Sequence, residues 1–344
     1  MNIFLTTSPL QLICAIEAKS TYNTINNILI IRDEKSNSGK KQIHELLDKN
    51  EWDHVIHLKR SNKIWNTSKI IWALKKINPS LNFENFFLAD YFAWRSNVIL
   101  NNISITNEII IDDGINTIQT YNYLLSKNNE THRNKFLRDL LMSLIGIKKP
   151  RLIYPRDNLS LFTIFELEKS HIKVINNNFL QLKNKLDSHN TYKENEKVGF
   201  IGQGLVNSRG MNIDDYLSLI KCVIKKHPNG IIYFPHRSEP LEVQCKIKEI
   251  DNVIYHQSKR PLEFEIAKEN IKLSAIYGIT SAASFTINKI YKDLPVFDIV
   301  VPVSMYGMSQ LGTSLQSLQQ YIALPIADLP DWDSYNQNNT LHFS

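Results

Sequence analysis

The feature that most constrains this chain is an alternation of short apolar runs with amphipathic segments. NIFLTT leads into PLQLICAIEAK and NNILIIRD into GKKQIHELLDKN; HVIHLKR, NFFLAD, EIIIDDG and RLIYP follow, with helical periodicity between them. Such alternation predicts βα units packed on a parallel sheet. Residues 184–197, NKLDSHNTYKENEK, are polar and aperiodic and read as a linker. The pattern restarts in VGFIGQG, NIDDYLSLIKCVIKKH, GIIYFPHR, NVIYHQ, PLEFEIAKEN, LSAIYGITSAAS and LPVFDIVV. The expectation is an α/β chain of two Rossmann-like, doubly wound domains, 1–183 and 198–344, facing a central cleft, with ligands at the carboxyl ends of the strands.

At 344 residues the chain is long enough for two such cores. Its 43% hydrophobic and 22% charged residues are those of a soluble globular protein, and no apolar run approaches the roughly 20 residues a spanning helix needs. The opening MNIFLTTSPLQLICAIEAK lacks the basic start and small-residue cleavage site of a secretory signal and reads as strand, turn and helix. Cys14, Cys222 and Cys245 are scattered, odd in number and without metal-ligand spacing, which argues against a disulfide framework or a zinc site and fits a reducing cytoplasm. A net charge of +6, spread along the chain, argues against nucleic-acid binding and leaves room for anionic substrates or lipid headgroups.

Polar side chains gather where the predicted strands end. In NEIIIDDGINT, Asp112 and Asp113 precede Gly114. They read either as a turn or N-cap, or as a general base whose pKa is raised by the neighbouring carboxylate. IIYFPHRSEP ends in Pro235, His236 and Arg237, and an imidazole beside a guanidinium suits a phosphate. AIYGITSAASFTINKIYK breaks at Gly278, and Thr280 and Ser281 then open a helix, as an N-cap or as an anion site. Glu263, in KRPLEFEIA, follows a proline at a helix start, where a carboxylate complements the helix dipole or accepts ribose hydroxyls.

As an ordered set, an acidic pair with glycine, a strand-end histidine, a Pro-x-Glu and a Thr/Ser pair resemble the bacterial sialyltransferases of the GT-B fold. Asp112-Asp113-Gly114 matches their D/E-D/E-G motif, and TSPLQLICAIEA is similar to the start of glycosyltransferase family 52 and its polysialyltransferase relatives. One position departs from the pattern. The family's second motif is usually His-Pro, whereas Arg237 follows His236 here and Pro235 precedes it.

The resemblance implies an inverting transferase that moves a nonulosonic acid, sialic acid or a relative such as pseudaminic acid, from its CMP-activated form to a capsule or lipooligosaccharide glycan, with no metal or other cofactor. It implies Asp112 as the base that takes the acceptor's proton, Asp113 as its orienting neighbour, and His236 with Thr280 and Ser281 as stabilisers of the departing phosphate. Arg237 would lie near that phosphate and Glu263 would hold the ribose. The turn Gly202-Gln203-Gly204 would admit the nucleotide, and Ser8 and Pro9 would meet the donor from the first domain. The residues leave open a transferase with a UDP- or CDP-linked donor, a noncatalytic nucleotide-binding capsule-assembly protein, and a metal hydrolase built on the two aspartates.

One further stripe stands out. RNKFLRDLLMSLIGIKKPR, residues 133–151, combines Phe136, Leu137, Leu140, Leu141, Leu144 and Ile147 with basic ends. Such a stripe ordinarily faces a core; its flanks also suit peripheral contact with the cytoplasmic face of an inner membrane, near lipid-linked acceptors.

Overall fold

The computed structural model describes residues 1–344 except 128, 168–171, 187–190, 205, 207–209, 309–320, 322 and 341–344. It divides into two compact units, Met1–Gln181 and Leu182–Ser344.

The first unit is built on seven parallel strands: β1 (Asn2–Thr6), β2 (Asn27–Arg32), β3 (His54–Leu58), β4 (Asn82–Leu88), β5 (Ser104–Ile111), β6 (Leu159–Thr163) and β7 (Lys173–Asn176). Their spatial order is β3-β2-β1-β4-β5-β6-β7. The connections run through α1 (Pro9–Thr21), α2 (Asn37–Leu46), α3 (Lys63–Ile77), α4 (Trp94–Asn102), α5 (Ile115–Thr120) and α6 (Phe136–Leu144). The central strands are apolar on both faces because both are covered: Ile3, Phe4, Ile28, Leu29, Ile30, Phe86, Phe87, Ile109 and Ile110 are wholly buried. Phe4 on β1 stacks on Phe87, its register partner on β4, with ring centroids 4.3 Å apart. Local signals start the helices. Ser8 caps α1 and Pro9 opens it, and Asn62 caps α3 by accepting from the backbone N–H groups of Ile64 and Trp65.

The second unit carries five parallel strands: β8 (Val198–Ile201), β9 (Ile231–Phe234), β10 (Val253–Tyr255), β11 (Ile276–Gly278) and β12 (Val296–Asp298), in the order β10-β9-β8-β11-β12. The helices α8 (Ile213–Lys226), α9 (Leu241–Lys248), α10 (Leu262–Lys268) and α11 (Ala282–Ile290) connect them; α7 (Leu180–Lys185) lies at the boundary of the units. Within the stretch read as a linker, Thr191 and Lys193 exchange backbone hydrogen bonds with Leu273 at 3.0 Å, so this part of it is built into the second unit.

Both sheets reverse strand order beside their first strand, at β1/β4 and at β8/β11. Open α/β sheets bind ligands at such switch points, because the chain leaves the two strands in opposite directions and opens a crevice outside their carboxyl ends.

Two expectations are corrected. RLIYP, residues 151–155, is not a strand: Ile153 makes only an isolated bridge with Thr131, and the outer sheet positions belong to LSLFT and KVIN instead. Of the expected stripe only Ile147, beyond the helix, is buried in the core; the five residues on α6 do not face it. Asp139 and Met142 point inward, while Phe136 is 80% exposed, Leu144 is 74% exposed, and Leu137, Leu140 and Leu141 are also exposed. The reason is local: Asp139 accepts from Trp94 Nε1 at 2.7 Å and from the backbone N–H of Lys135 at 2.7 Å, and Met142 packs on Ser68 of α3. The helix is thereby held by its polar side. Among the described residues no helix is long and apolar enough to cross a membrane.

Candidate active site

Two groups of residues, one in each unit, gather at the carboxyl ends of the strands. In the first unit β5 runs directly into Asp112 and Asp113. Gly114 then adopts φ 61° and ψ −137°, a region open essentially to glycine alone, and the chain turns into α5. The turn fixes the two carboxylates in opposite surroundings. Asp112 is 0% exposed; its Oδ1 accepts from Thr163 Oγ1 at 2.5 Å and its Oδ2 from the backbone N–H of Ile164 at 2.8 Å. Burial pushes its carboxyl up to about 7, against the pull of these hydrogen bonds. Asp113 instead lines a cavity of about 500 Å³ together with Asp90, Phe92, Asn116, Tyr123 and Arg133. Its Oδ1 accepts from Gln11 Nε2 at 2.5 Å and its Oδ2 from Asn116 Nδ2 at 3.2 Å.

The structure thus places Asp112, the expected proton acceptor, without exposed surface and held by two donors at the end of β6, whereas Asp113 lines the cavity. Gln11 was not singled out in the sequence, although it lies in the TSPLQL stretch. Its Oε1 accepts from the backbone N–H of Thr7 at 2.8 Å, which fixes the amide so that Nε2 faces Asp113. Ser8 and Pro9 build the start of α1, with Ser8 Oγ accepting from the backbone N–H of Gln11 at 3.3 Å.

The raised Asp112 carboxyl sets a pH dependence of stability. The folded state keeps a proton that the unfolded chain releases above the ordinary 3.8, so this group's contribution is fully present below that pH and is lost as pH rises through about 7. Between pH 4 and pH 7 the wild type is expected to lose stability relative to Asp112→Asn, which carries no titrating proton. Urea midpoints of the two proteins across that range give the difference directly.

In the second unit β8 ends in Gly202-Gln203-Gly204, and β9 runs on into Pro235, His236 and Arg237. A Cβ on Gly202 would stand 2.6 Å from Tyr233 Oη and 2.9 Å from the backbone nitrogen of His236; one on Gly204 would stand 2.5 Å from His236 Nδ1. The glycines are what let His236 lie against the turn. The backbone N–H of Ser238 donates to His236 Nδ1 at 3.2 Å, and Ser238 Oγ lies 2.8 Å away. Neutral imidazole therefore carries its proton on Nε2. Arg237 is exposed.

Across the switch point, Gln203 Nε2 donates to the carbonyl of Ile279, which ties the first turn to the end of β11. Thr280 has φ 34°, an uncommon conformation for a β-branched residue. Its backbone N–H donates to Asp298 Oδ1 at 2.5 Å and its hydroxyl to Oδ2 at 3.3 Å, so Asp298 at the end of β12 holds the turn. Ser281 is half-buried and caps α11, accepting from the backbone N–H of Ala283 at 3.2 Å. Glu263 is buried at the start of α10 and accepts from Thr286 Oγ1 at 2.8 Å; burial raises its carboxyl, and Arg237 draws it down.

Beneath the glycine turn lies a buried network that sequence reading missed. The backbone N–H of Gln203 donates to Tyr216 Oη at 3.2 Å, Tyr216 and Tyr233 hydroxyls meet at 3.0 Å, and Tyr233 and Tyr255 both donate to Glu239. Its sequence signal is tyrosine at strand and helix positions where an aliphatic residue would pack as well. Among the described residues no group of three or more His, Cys, Asp or Glu is set to hold a metal ion.

In sequence, no protein-family model and no curated protein matches the chain. In structure it is similar to the UDP-GlcNAc 2-epimerase from Neisseria meningitidis bound to UDP-GlcNAc, at 14% identity and a TM-score of 0.51, over 99% of this chain and 100% of that one. It is also similar to a putative UDP-N-acetylglucosamine 2-epimerase from Listeria monocytogenes, at 9% identity and a TM-score of 0.50, over 100% and 96%. A sialyltransferase from Photobacterium damsela is similar at 14% identity and a TM-score of 0.49, over 95% and 81%. At such identities a likeness speaks for the fold, and the fold is α/β and GT-B-like, with two doubly wound parallel units.

Proposed function

We propose that the chain is an inverting glycosyltransferase that moves a nonulosonic acid from a CMP-activated donor to a glycan acceptor. One observation carries the reading: the strand ends of the two sheets hold complementary chemistry. The first unit offers a carboxylate beside an open cavity; the second offers a glycine turn, an imidazole N–H and a capped helix start, the parts of a phosphate cradle.

In this reaction the acceptor oxygen attacks the anomeric carbon and its proton passes to Asp113. The bond from that carbon to the phosphate oxygen breaks, and its electron pair leaves with CMP. His236 Nε2–H, Arg237 and the first N–H groups of α11 receive the growing negative charge, and Glu263 is the carboxylate assigned to the ribose. CMP leaves as a stable phosphate monoester anion, so the scheme asks for no Lewis acid and turnover is expected to survive EDTA. Loss of activity on chelation, restored by Mg²⁺ or Mn²⁺, would show the scheme to be wrong.

The test is a donor panel: CMP-N-acetylneuraminic acid, CMP-pseudaminic acid, UDP-GlcNAc and UDP-galactose, with nucleotide release and product mass both measured. Transfer from a CMP-nonulosonate is expected. Turnover of a UDP-sugar alone, whether by transfer or by epimerisation, overturns the donor assignment. Gly204→Ala provides a second check. The added methyl must push His236 off the turn, so turnover is expected to fall by about 10²–10³-fold, the cost of losing one preorganised donor, in a protein that still folds. Full activity in Gly204→Ala would remove His236 from the mechanism.

We also assign the exposed face of α6 to an anionic membrane surface at which acceptors are held. The only acid on the helix, Asp139, is buried, and Lys135, Lys148 and Lys149 flank it. The adjoining helix α3 exposes Trp65 and Trp72, with Lys69 over the Trp65 ring at 5.1 Å. Exposed tryptophan, leucine and lysine without exposed acid is the composition of an interfacial helix. Flotation with vesicles containing phosphatidylserine is expected to recover the wild type at low salt and to lose Leu137→Asp/Leu144→Asp; a wild type that stays with the free protein removes the assignment.

A further inference from the structure

A second and smaller cavity lies next to the one at Asp113. It measures about 190 Å³ and occupies the β1/β4 switch point: Thr7 and Gln11 line it from beyond β1, Arg32 from the end of β2, and Ala89 and Asp90 from beyond β4. Lys63 enters from the first position of α3, and Trp94, Arg95 and Ser96 form the first turn of α4. Three cations line it against one acid, Asp90. Ala89 and Asp90 also line the Asp113 cavity, so the two spaces are neighbours.

Arg95 is only 7% exposed, and its Nε, like those of Arg32, Arg151 and Arg156, is buried without a hydrogen-bond partner. Burial and the charges of Arg32 and Arg60 push Arg95 down to about 10, against the pull of Asp90, and Lys63 is lowered by burial and by Arg138, Arg32, Arg95 and Arg60. Asp90 cannot balance this group alone: its own carboxyl is raised by burial and by Asp113. The same unit shows the alternative arrangement at Arg151, whose guanidinium grips Glu108 through both terminal nitrogens. α4 adds to the imbalance, because Ala93 stands at its N-cap and provides no side-chain acceptor for the first N–H groups.

Three cations that share a single acid, one of them a buried guanidinium that no carboxylate grips, are costly to hold together, and a bound anion offsets that cost. We infer that this cavity binds an anionic group, a phosphate or a carboxylate, with Arg32, Lys63 and Arg95 as its donors. Placed beside Asp113, that group belongs to the acceptor, an assignment that rests on the transfer reading above; the anion site itself does not. The acceptor is then an acidic glycan, carrying either a phosphate, as on a lipid-linked or phosphorylated sugar, or the carboxylate of an acidic sugar.

The experiment is calorimetric titration of the full chain with glucose 6-phosphate, glucuronate and glucose, with thermal melting alongside. At least one of the charged sugars is expected to bind and raise the melting temperature, and glucose is expected to do neither. Binding of the phosphate alone identifies the first source and binding of the uronate alone the second. Arg95→Met is expected to weaken that binding at least tenfold while melting no lower than the wild type when unliganded, because the substitution removes a buried, repelled charge. Lys63→Met, at an exposed position, is expected to weaken binding without a folding penalty, and CMP affinity in both variants is expected to match the wild type. The inference is overturned if neither charged sugar binds, or if both variants bind as the wild type does. If the anion binds and the donor panel shows no transfer, the site stands and its assignment to an acceptor falls.

Discussion

Asp113→Asn is expected to lower transfer by about 10²–10⁴-fold, the usual contribution of a positioned general base, with CMP affinity held within a few fold. The substitution keeps the volume and leaves an oxygen for Gln11 Nε2, which lies 2.5 Å from Oδ1, so geometry is preserved while proton affinity is lost. CMP affinity is the internal control, because the proposed nucleotide cradle is carried by the second unit. The informative comparison is Asp112→Asn. Its amide can accept from the N–H of Ile164 and donate to Thr163 Oγ1, so the end of β6 stays attached. Turnover is expected to stay within about tenfold of the wild type, and the main change is in the pH dependence of unfolding. Near-complete loss in Asp112→Asn with activity retained in a folded Asp113→Asn would return the base to Asp112 and refute the burial argument.

The difficulty of choosing between these aspartates from sequence has a physical origin. A strand exposed on one face alternates polar and apolar residues, and that alternation tells which side a residue at its end will take. β5 ends in Ile109, Ile110 and Ile111, all wholly buried, so nothing in the run marks its faces. The acidic pair was legible as a strand-end feature; its orientation was not. RLIYP failed for a related reason. Leu152, Ile153 and Tyr154 look strand-forming, yet they lie between Pro150 and Pro155, each without an N–H for a ladder, and Arg151 is drawn to Glu108. LSLFT and KVIN are short, the one broken by serine and the other opened by lysine, which hid them.

The glycine turn was legible as a βα turn, but its use as the seat for His236 emerges only once β8 and β9 are neighbours. Arg32, Lys63 and Arg95 sit in three separate segments with no common motif, and parallel topology alone assembles them at one strand end. The stripe on α6 was plain in the sequence. What it faces depended on Asp139, an acid whose two hydrogen bonds turn the polar side inward.

Arg151→Met is expected to destabilise the first unit by about 3–5 kcal/mol, the cost of leaving a buried charge without its partner. Glu108 lies on β5 with 2% of its surface exposed. Arg151 Nη1 donates to its Oε1 at 2.6 Å, Nη2 donates to Oε2 and to Tyr91 Oη at 3.0 Å, and Tyr91 Oη donates to Oε2 at 2.9 Å. Methionine fills much of the arginine stem's volume, so packing is largely kept and the loss is electrostatic. Net stabilities of about 5–15 kcal/mol make this a large fraction of the total. Urea unfolding should show a lower midpoint with little change in slope. Adding Glu108→Gln to Arg151→Met removes the stranded charge and is expected to recover a large part of the loss, whereas two independent sites would give additive losses. If Arg151→Met alone costs less than about 1 kcal/mol, the pair behaves as a surface bridge would, and the contrast drawn between it and Arg95, which no carboxylate grips, loses its basis.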